Sequence, residues 1–402
     1  MHIRTEYLER MRPYIGKPVI KVITGMRRVG KSCFLSQLYD ELRLKAEGPA
    51  HVLLVDMESL EFDGLRDYRS FHGFVEEHFR GLAGTRYLLV DEVQEIDQWE
   101  RAIVSLAKSG HTDIFLTGSN AHLLSSEIAT LLSGRYVEFP LHSLGFAEFL
   151  EFRSDKCGDP ETEFGNWLRF GGLPAVHHLE LADEMVFDYT GSVYSTILLK
   201  DIVKRRAVRN VTLLESIGRF LFDNVGNLIA AKPLADYLKS QRLSVGVQTV
   251  QNYLSYFDDA FISHKLRRYD LRGKRHLEVY EKHYLEDLGL RHAVLGYRDP
   301  DISGLLENVV CLELKRRGYR LSIGRLGNRE IDFIAEKANT KVYVQVAYRL
   351  ATPTTVEREF GVLQAIRDNY PKFVISLDKH IGDDYEGIRC LNLIDFVRGA
   401  EL

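Results

Sequence analysis

The sequence is poor in several of the features that mark common protein classes. Its four cysteines (Cys33, Cys157, Cys311 and Cys390) are far apart and form no CxxC pair. That excludes zinc clamped by paired cysteines and CxxC redox exchange. The histidines show no HExxH spacing. No segment approaches the ~18 apolar residues of a membrane span. The N-terminus, MHIRTEYLERMRPYIGK, lacks the apolar core and small-residue cleavage site of a secretory signal. What is present is ordinary for a folded chain: 402 residues, 45% hydrophobic and 27% charged. At ~100–200 residues per domain, two to four domains are expected. The expectation is a soluble, cytoplasmic, multidomain protein that makes no contact with membranes.

Charge is distributed unevenly. From Lys200 to Arg275 there are 15 lysines and arginines against 7 acids, a local charge of +8 in a chain whose net charge is −4. A basic module inside an acidic protein suits nucleic acid, and equally suits a solvated face or a docking surface for the acidic remainder.

Short apolar runs separated by helix-length segments organise the first third: Val19–Thr24, His51–Asp56, Tyr87–Val90, Asp113–Thr117 and Arg135–Phe139. This pattern predicts a parallel sheet covered on both faces. Helical periodicity takes over from Pro140 to about Val211, broken at Gly171-Gly172-Leu173-Pro174. Two helices and a hairpin pattern follow. The last hundred residues alternate strands with helices, including one predicted over Thr355–Asn369. The domains expected are 1–140, an α/β core; 141–211, a helical lid; 212–300; and 301–402.

Gly25-Met26-Arg27-Arg28-Val29-Gly30-Lys31-Ser32 matches G-x-x-x-x-G-K-[ST], with a buried strand before it and a helix, opening through Cys33, after it. Glycines let backbone N–H groups turn inward around phosphate, and the helix N-terminus adds its positive end. Lys31 would reach the β- and γ-phosphates and Ser32 would ligate Mg²⁺. Downstream, Tyr87–Glu92 is an apolar run ending in two carboxylates. Asp91 would hold the magnesium ion and Glu92 would polarise the attacking water. Ser119 and Asn120, ending another strand, are placed to orient that water. Arg135, in Ser133-Gly134-Arg135-Tyr136, is a candidate cation for the transition state, in cis or across a subunit boundary of a homo-oligomer. The chain has no NKxD motif to read guanine, which favours ATP over GTP.

The run Asp91-Glu92-Val93-Gln94, the strand end Thr117-Gly118-Ser119-Asn120, Gly134-Arg135 followed by PLHSLGFAEFL, then GGLP and LLKDI, resemble in order the prokaryotic AAA+-like P-loop ATPases of uncharacterised function. The resemblance covers nearly the whole chain. It implies an AAA-type module followed by a winged helix and a C-terminal domain of nuclease-like fold.

The residues of the basic middle agree. A helix begins at Lys232-Pro233, a turn passes Ser244 and Gly246, and a second helix reads VQTVQNYLSYF. Val247, Val250, Leu254 and Phe257 share one face, which leaves Gln248, Gln251, Asn252 and Ser255 on or near the other. This fits a helix-turn-helix whose polar amides pair with base edges of double-stranded DNA. A hairpin follows, carrying Lys265, Arg267, Arg268, Arg272, Lys274 and Arg275, which could grip phosphates like a wing. The alternative is a spacer or a protein-binding module.

In the C-terminal segment, Glu307 on a helix, Asp332 on a strand and Gln345 two residues before Ala347 resemble the spacing of the PD-(D/E)XK nucleases. The lysine of that pattern is missing, which favours an inactive domain of restriction-endonuclease-like α/β fold. An active metal-dependent nuclease would need a cation from elsewhere, Lys341 or Arg349. The function expected is Mg²⁺-dependent ATP hydrolysis coupled to rearrangement of the winged helix and the nuclease-like domain. The alternatives are a slow switch that binds a protein partner, and the active nuclease.

Overall fold

Residue Val22 and its neighbours explain the first sheet, because every residue of strand β1 (Ile20–Thr24) is buried. A strand with two buried faces needs cover on both sides, and parallel sheets with crossover helices provide it. The computed structural model describes residues 2–121, 134–156, 158–243, 245–297, 302–378, 382 and 384–402, without the side chains of 278 and 279. Ser133, Cys157 and Ser244, named above, lie outside the described residues. The chain divides into two units: 1–141 with 259–261, and 142–258 with 262–402.

In the first unit, β1, β2 (Val52–Asp56), β3 (Arg86–Asp91), β4 (Thr112–Gly118) and β5 (Tyr136–Pro140) are all parallel, in the order β2-β3-β4-β1-β5. Among the described residues, helices α1 (Thr5–Met11), α2 (Lys31–Lys45), α3 (Tyr68–His78) and α4 (Trp99–Lys108) belong to it as well. Val22, Val55, Leu88, Val90 and Leu116 from the strands pack with Phe71, Val75, Trp99 and Ile103 from α3 and α4. Asp67 caps α3 by accepting from the amides of Arg69 and Ser70. On the opposite face of the sheet, Lys21 of β1, fully buried, is paired with Asp113 of β4. Because the strands run the same way, their carboxyl ends share one edge, where α/β sheets place their ligands.

The second unit begins with α5 (Phe146–Phe152), α6 (Pro160–Phe170) and α7 (Asp183–Thr196). The LLKDI segment continues α7 as a π-helical stretch, Ile197–Lys204. Next come α8 (Val211–Asp223), β6 (Leu228–Ile229), α9 (Ala231–Ser240), α10 (Val247–Asp259), β7 (Ser263–Asp270), β8 (Arg275–Leu285) and α11 (Leu288–Leu295). The remainder is α12 (Ile302–Arg316), β9 (Arg320–Leu326), β10 (Arg329–Lys337), β11 (Thr340–Ala347), α13 (Pro353–Gln364), β12 (Lys372–Ser376), β13 (Asp384–Tyr385), β14 (Ile388–Asn392) and α14 (Leu393–Val397).

The strands β6 to β14 form one sheet, in the order β13-β14-β12-β11-β10-β9-β7-β8-β6. The basic hairpin β7–β8 is therefore continuous with the C-terminal strands, through parallel pairing of β7 with β9 (Arg268 opposite Ile323).

Two local expectations are corrected. Val247 is 36% exposed, and Tyr253 takes a place on the buried face of α10 with Val250, Leu254 and Phe257. Val247 opens the helix, so no preceding turn covers it. Helix α13 ends at Gln364, not near Asn369. Asp368 instead accepts from the Tyr343 hydroxyl (2.6 Å) and from the amide of Tyr370 (3.3 Å), making a turn before Pro371.

Candidate functional site

The loop between β1 and α2 has a backbone that few residues could adopt. Gly25 has φ +149°, and a Cβ there would collide with the carbonyl oxygen of Leu141. Gly30, left-handed at φ 99°, caps α2. Met26 and Val29 are fully buried, which anchors the loop, while Arg28, Ser32 and Cys33 are exposed. Arg27 pairs with Glu58 at 2.9 Å. The buried Lys31 ammonium donates to the carbonyls of Gly25 and Met26, both at 3.1 Å, and lies 3.6 Å from Glu92 Oε1.

The neighbouring strand ends bring the remaining groups together. The Asp91 carboxylate, at the end of β3, accepts from the hydroxyls of Ser32 and Thr117. Burial pushes its pKa up, and the two hydroxyls offset only part of that. Glu92 takes the left-handed conformation (φ 50°, ψ 53°), sparsely populated by non-glycine residues. Its amide donates to Thr117 Oγ1 at 2.9 Å, and its Oε2 accepts from Ser119 Oγ at 3.1 Å and from the Gln94 amide. Burial opposes ionisation of Glu92, but Lys31, Arg27, Gln94 and Ser119 together hold its carboxyl below the usual range. The adjacent acids are thus pushed in opposite directions. That is the pattern that gives paired carboxylates separate roles.

Lys31, Ser32, Asp91, Glu92 and Ser119 therefore meet in one place, and Asn120, 2% exposed, follows Ser119. Arg135 is not brought to them. It is exposed and precedes β5, whose Tyr136 pairs with Ile20 at the opposite end of the sheet from the phosphate loop. Five residues of strand separate the two edges, about 16 Å at ~3.3 Å per residue. Sequence reading missed Thr117 and Gln94. Both flank named residues, but only the fold turns their side chains onto the acids.

In the second unit, Gln248, Gln251 and Asn252 are exposed on α10, and the Gln248 amide donates to Asn252 Oδ1 at 3.0 Å. Arg272, Lys274 and Arg275 are exposed around the tip of the β7–β8 hairpin. Nearer its base, Lys265 and Arg267 face Glu281 at 3.8 and 3.7 Å.

The C-terminal acids have a lysine that sequence spacing did not supply. Lys282 of β8, 4% exposed, lies 3.0 Å from Glu307 Oε2 and 2.8 Å from Glu330 Oε1. Glu307 also accepts from the Tyr284 hydroxyl at 3.1 Å. Asp332 sits at a bulge in β10, accepts from the Val346 amide at 2.8 Å, and donates its own amide to Gln345 Oε1 at 3.3 Å. Burial, with Glu307 nearby, drives the Asp332 carboxyl well above its ordinary range. Lys341 instead lies over the rings of Tyr269, Tyr343 and Tyr370, and Arg349 over Tyr348.

Residues 17–150 match the AAA domain family, and residues 161–301 match a domain of unknown function (DUF8612). An uncharacterized protein of Haemophilus influenzae is 35% identical over 397 residues, 98% of each chain. The chain belongs to the family of that protein. A further similar protein is MJ1544 of Methanocaldococcus jannaschii, 29% identical over 374 residues, covering 87% of this chain and 79% of that one. Among solved structures, the chain is similar to the Aeropyrum pernix Orc1 protein in complex with DNA (13% identity, 72% of this chain, 91% of that chain, TM-score 0.34). It is also similar to a DNA polymerase III gamma subunit-related protein of Thermotoga maritima (13% identity, 63% and 99%, TM-score 0.30). The parallel sheet, the phosphate loop and the domain match make residues 17–150 a P-loop AAA+ module. Among the described residues, no helix is long and apolar enough to cross a membrane.

Proposed function

We propose that the chain is a Mg²⁺-dependent ATPase whose nucleotide state governs a DNA-contacting winged helix, with the C-terminal segment as an inactive nuclease-like domain. The observation that carries this reading is the meeting of Lys31, Ser32, Asp91, Glu92 and Ser119 at the carboxyl ends of parallel strands. In this reading the loop amides and Lys31 hold the β- and γ-phosphates. Glu92, kept ionised, takes a proton from the water that attacks the γ-phosphorus, and ADP leaves with the electrons of the broken P–O bond. Ser119, bonded to Glu92, aligns that carboxylate, and Asn120 borders the same water. Ser32 and Asp91 fit a magnesium ion, since their oxygens already converge on each other and hard cations take oxygen donors. When bound, the ion supplies positive charge to the phosphates. Arg135, placed at the far edge, acts across a subunit boundary of a homo-oligomer.

The order of α8, β6, α9, α10 and the β7–β8 hairpin supports the winged helix, and the exposure of its amides and tip arginines supports DNA contact. Lys282 supports inactivity of the nuclease-like domain. Its ammonium occupies the acids as an internal counter-ion, where catalysis would need a bound cation. A second reading, a slow switch directed at a protein partner, is favoured by Glu281 facing Lys265 and Arg267, which weakens the hairpin's field.

The test is ATP hydrolysis with and without duplex DNA across a range of salt, in wild type, Lys31→Ala and Glu92→Gln. Stimulation by DNA that fades with salt, with both variants slowed by about 10²–10⁴-fold, is the expected result. Hydrolysis indifferent to DNA would favour the protein-directed switch. Nucleotide bound but never hydrolysed would overturn the role of Glu92.

A further inference from the structure

His142, His264 and Glu286 are scattered along the chain and converge inside the second unit. Among the described residues, they form the only group of three His, Cys, Asp or Glu whose ligand atoms all lie within 4.8 Å of one another. Glu286, 1% exposed, directly follows β8, and its Oε2 lies 2.9 Å from His142 Nδ1 and 2.5 Å from His264 Nε2. The two rings stand edge to face with centroids 5.6 Å apart. Ser143 fixes the carboxylate from the other side. Its amide donates to Glu286 Oε1 at 2.6 Å and its hydroxyl to the Glu286 carbonyl at 2.7 Å.

Held by hydrogen bonds alone, both rings must aim an N–H at the one Oε2 atom. A divalent cation takes the same three atoms as donors, two imidazole nitrogens and a carboxylate oxygen, and leaves Oε1 to the Ser143 amide.

We infer that His142, His264 and Glu286 form a binding site for a first-row divalent transition metal, with Ser143 as the supporting group that orients the carboxylate. Two imidazoles and a carboxylate are a zinc donor set. The His264 side chain, 10% exposed, is the most open of the three ligands. The site ties residues 142–143 to the hairpin that carries the basic tip. No motif announces it, because the ligands come from three separate segments.

The full chain, stripped with a chelator and free of nucleotide, is titrated with Zn²⁺ by calorimetry and with Co²⁺ by visible absorption. The expected result is one metal per chain, a melting temperature that climbs with metal concentration, and Co²⁺ bands typical of nitrogen and oxygen ligands. Glu286→Gln and His264→Asn each remove a ligand, so each weakens uptake by more than the ~10–100-fold that loss of a supporting group costs. The Co²⁺ spectrum of the wild type needs no variant, so a misfolded variant leaves the proposal open to refutation. Absence of uptake at micromolar metal would overturn it. So would a thiolate-to-Co²⁺ charge-transfer band, or unchanged stoichiometry in both folded variants.

Discussion

Thr117 holds the two acids of the nucleotide site in register. Its single hydroxyl donates to Asp91 and accepts from the Glu92 amide, and the second bond supports a backbone conformation that glutamate rarely adopts. Thr117→Val keeps the shape and removes both links. A buried amide left without an acceptor costs about 1–3 kcal/mol, and Glu92 loses its fixed aim. Hydrolysis is expected to fall at least about tenfold, since a positioned base contributes ~10²–10⁴-fold, while ATP affinity changes less. Thr117→Ser should restore most of the rate. A Thr117→Val enzyme with the wild-type rate would remove this residue from the mechanism. Lys282 makes a related point, because it reaches Glu307 and Glu330 from a strand outside their local sequence.

At the scale of elements, β1 shows how a parallel sheet accommodates a charge. Lys21 is fully buried in a strand otherwise made of apolar and β-branched residues. Burial pushes its ammonium down and the Asp113 carboxyl up, each opposed by the other's charge. Asp113 also accepts from the Gly16 amide at 2.7 Å, and the Lys21 ammonium donates to the Lys17 carbonyl at 3.0 Å. The pair thereby fastens the loop before β1 to β4. Removing one partner leaves an uncompensated buried charge. Lys21→Met or Asp113→Ala alone should cost about 3–5 kcal/mol in chemical denaturation, and the double replacement less than the sum. Additive losses would mean that the two charges act separately. The two helix corrections also belong at this scale. Periodicity identified the buried face of α10 but not that its first residue lies beyond cover, and it ran α13 past a turn fixed by Asp368.

For the whole molecule, the distribution of charge predicts more than its total. The +8 stretch lies within a chain of net charge −4, and its exposed tip at Arg272, Lys274 and Arg275 is the part best placed to meet phosphates. Replacing all three with alanine should weaken duplex binding and flatten the dependence of log K on log salt by about 0.9 for each phosphate no longer neutralised. An unchanged slope would move the nucleic-acid interface elsewhere or remove it.

The sequence by itself determined the phosphate loop, the strand that ends in Asp91 with Glu92 next to it, and the small polar end of β4. Each of these is a contiguous run whose spacing reflects local backbone geometry. Tertiary structure alone decided that Arg135 lies at the far edge of the sheet, since parallel pairing fixes which ends meet. It also joined the hairpin to the C-terminal strands, brought Lys282 to Glu307 and Glu330, and gathered His142, His264 and Glu286 around one buried oxygen. Those pairings link residues tens of positions apart. Periodicity along the chain records which face of an element is buried, but not which distant side chain it meets there.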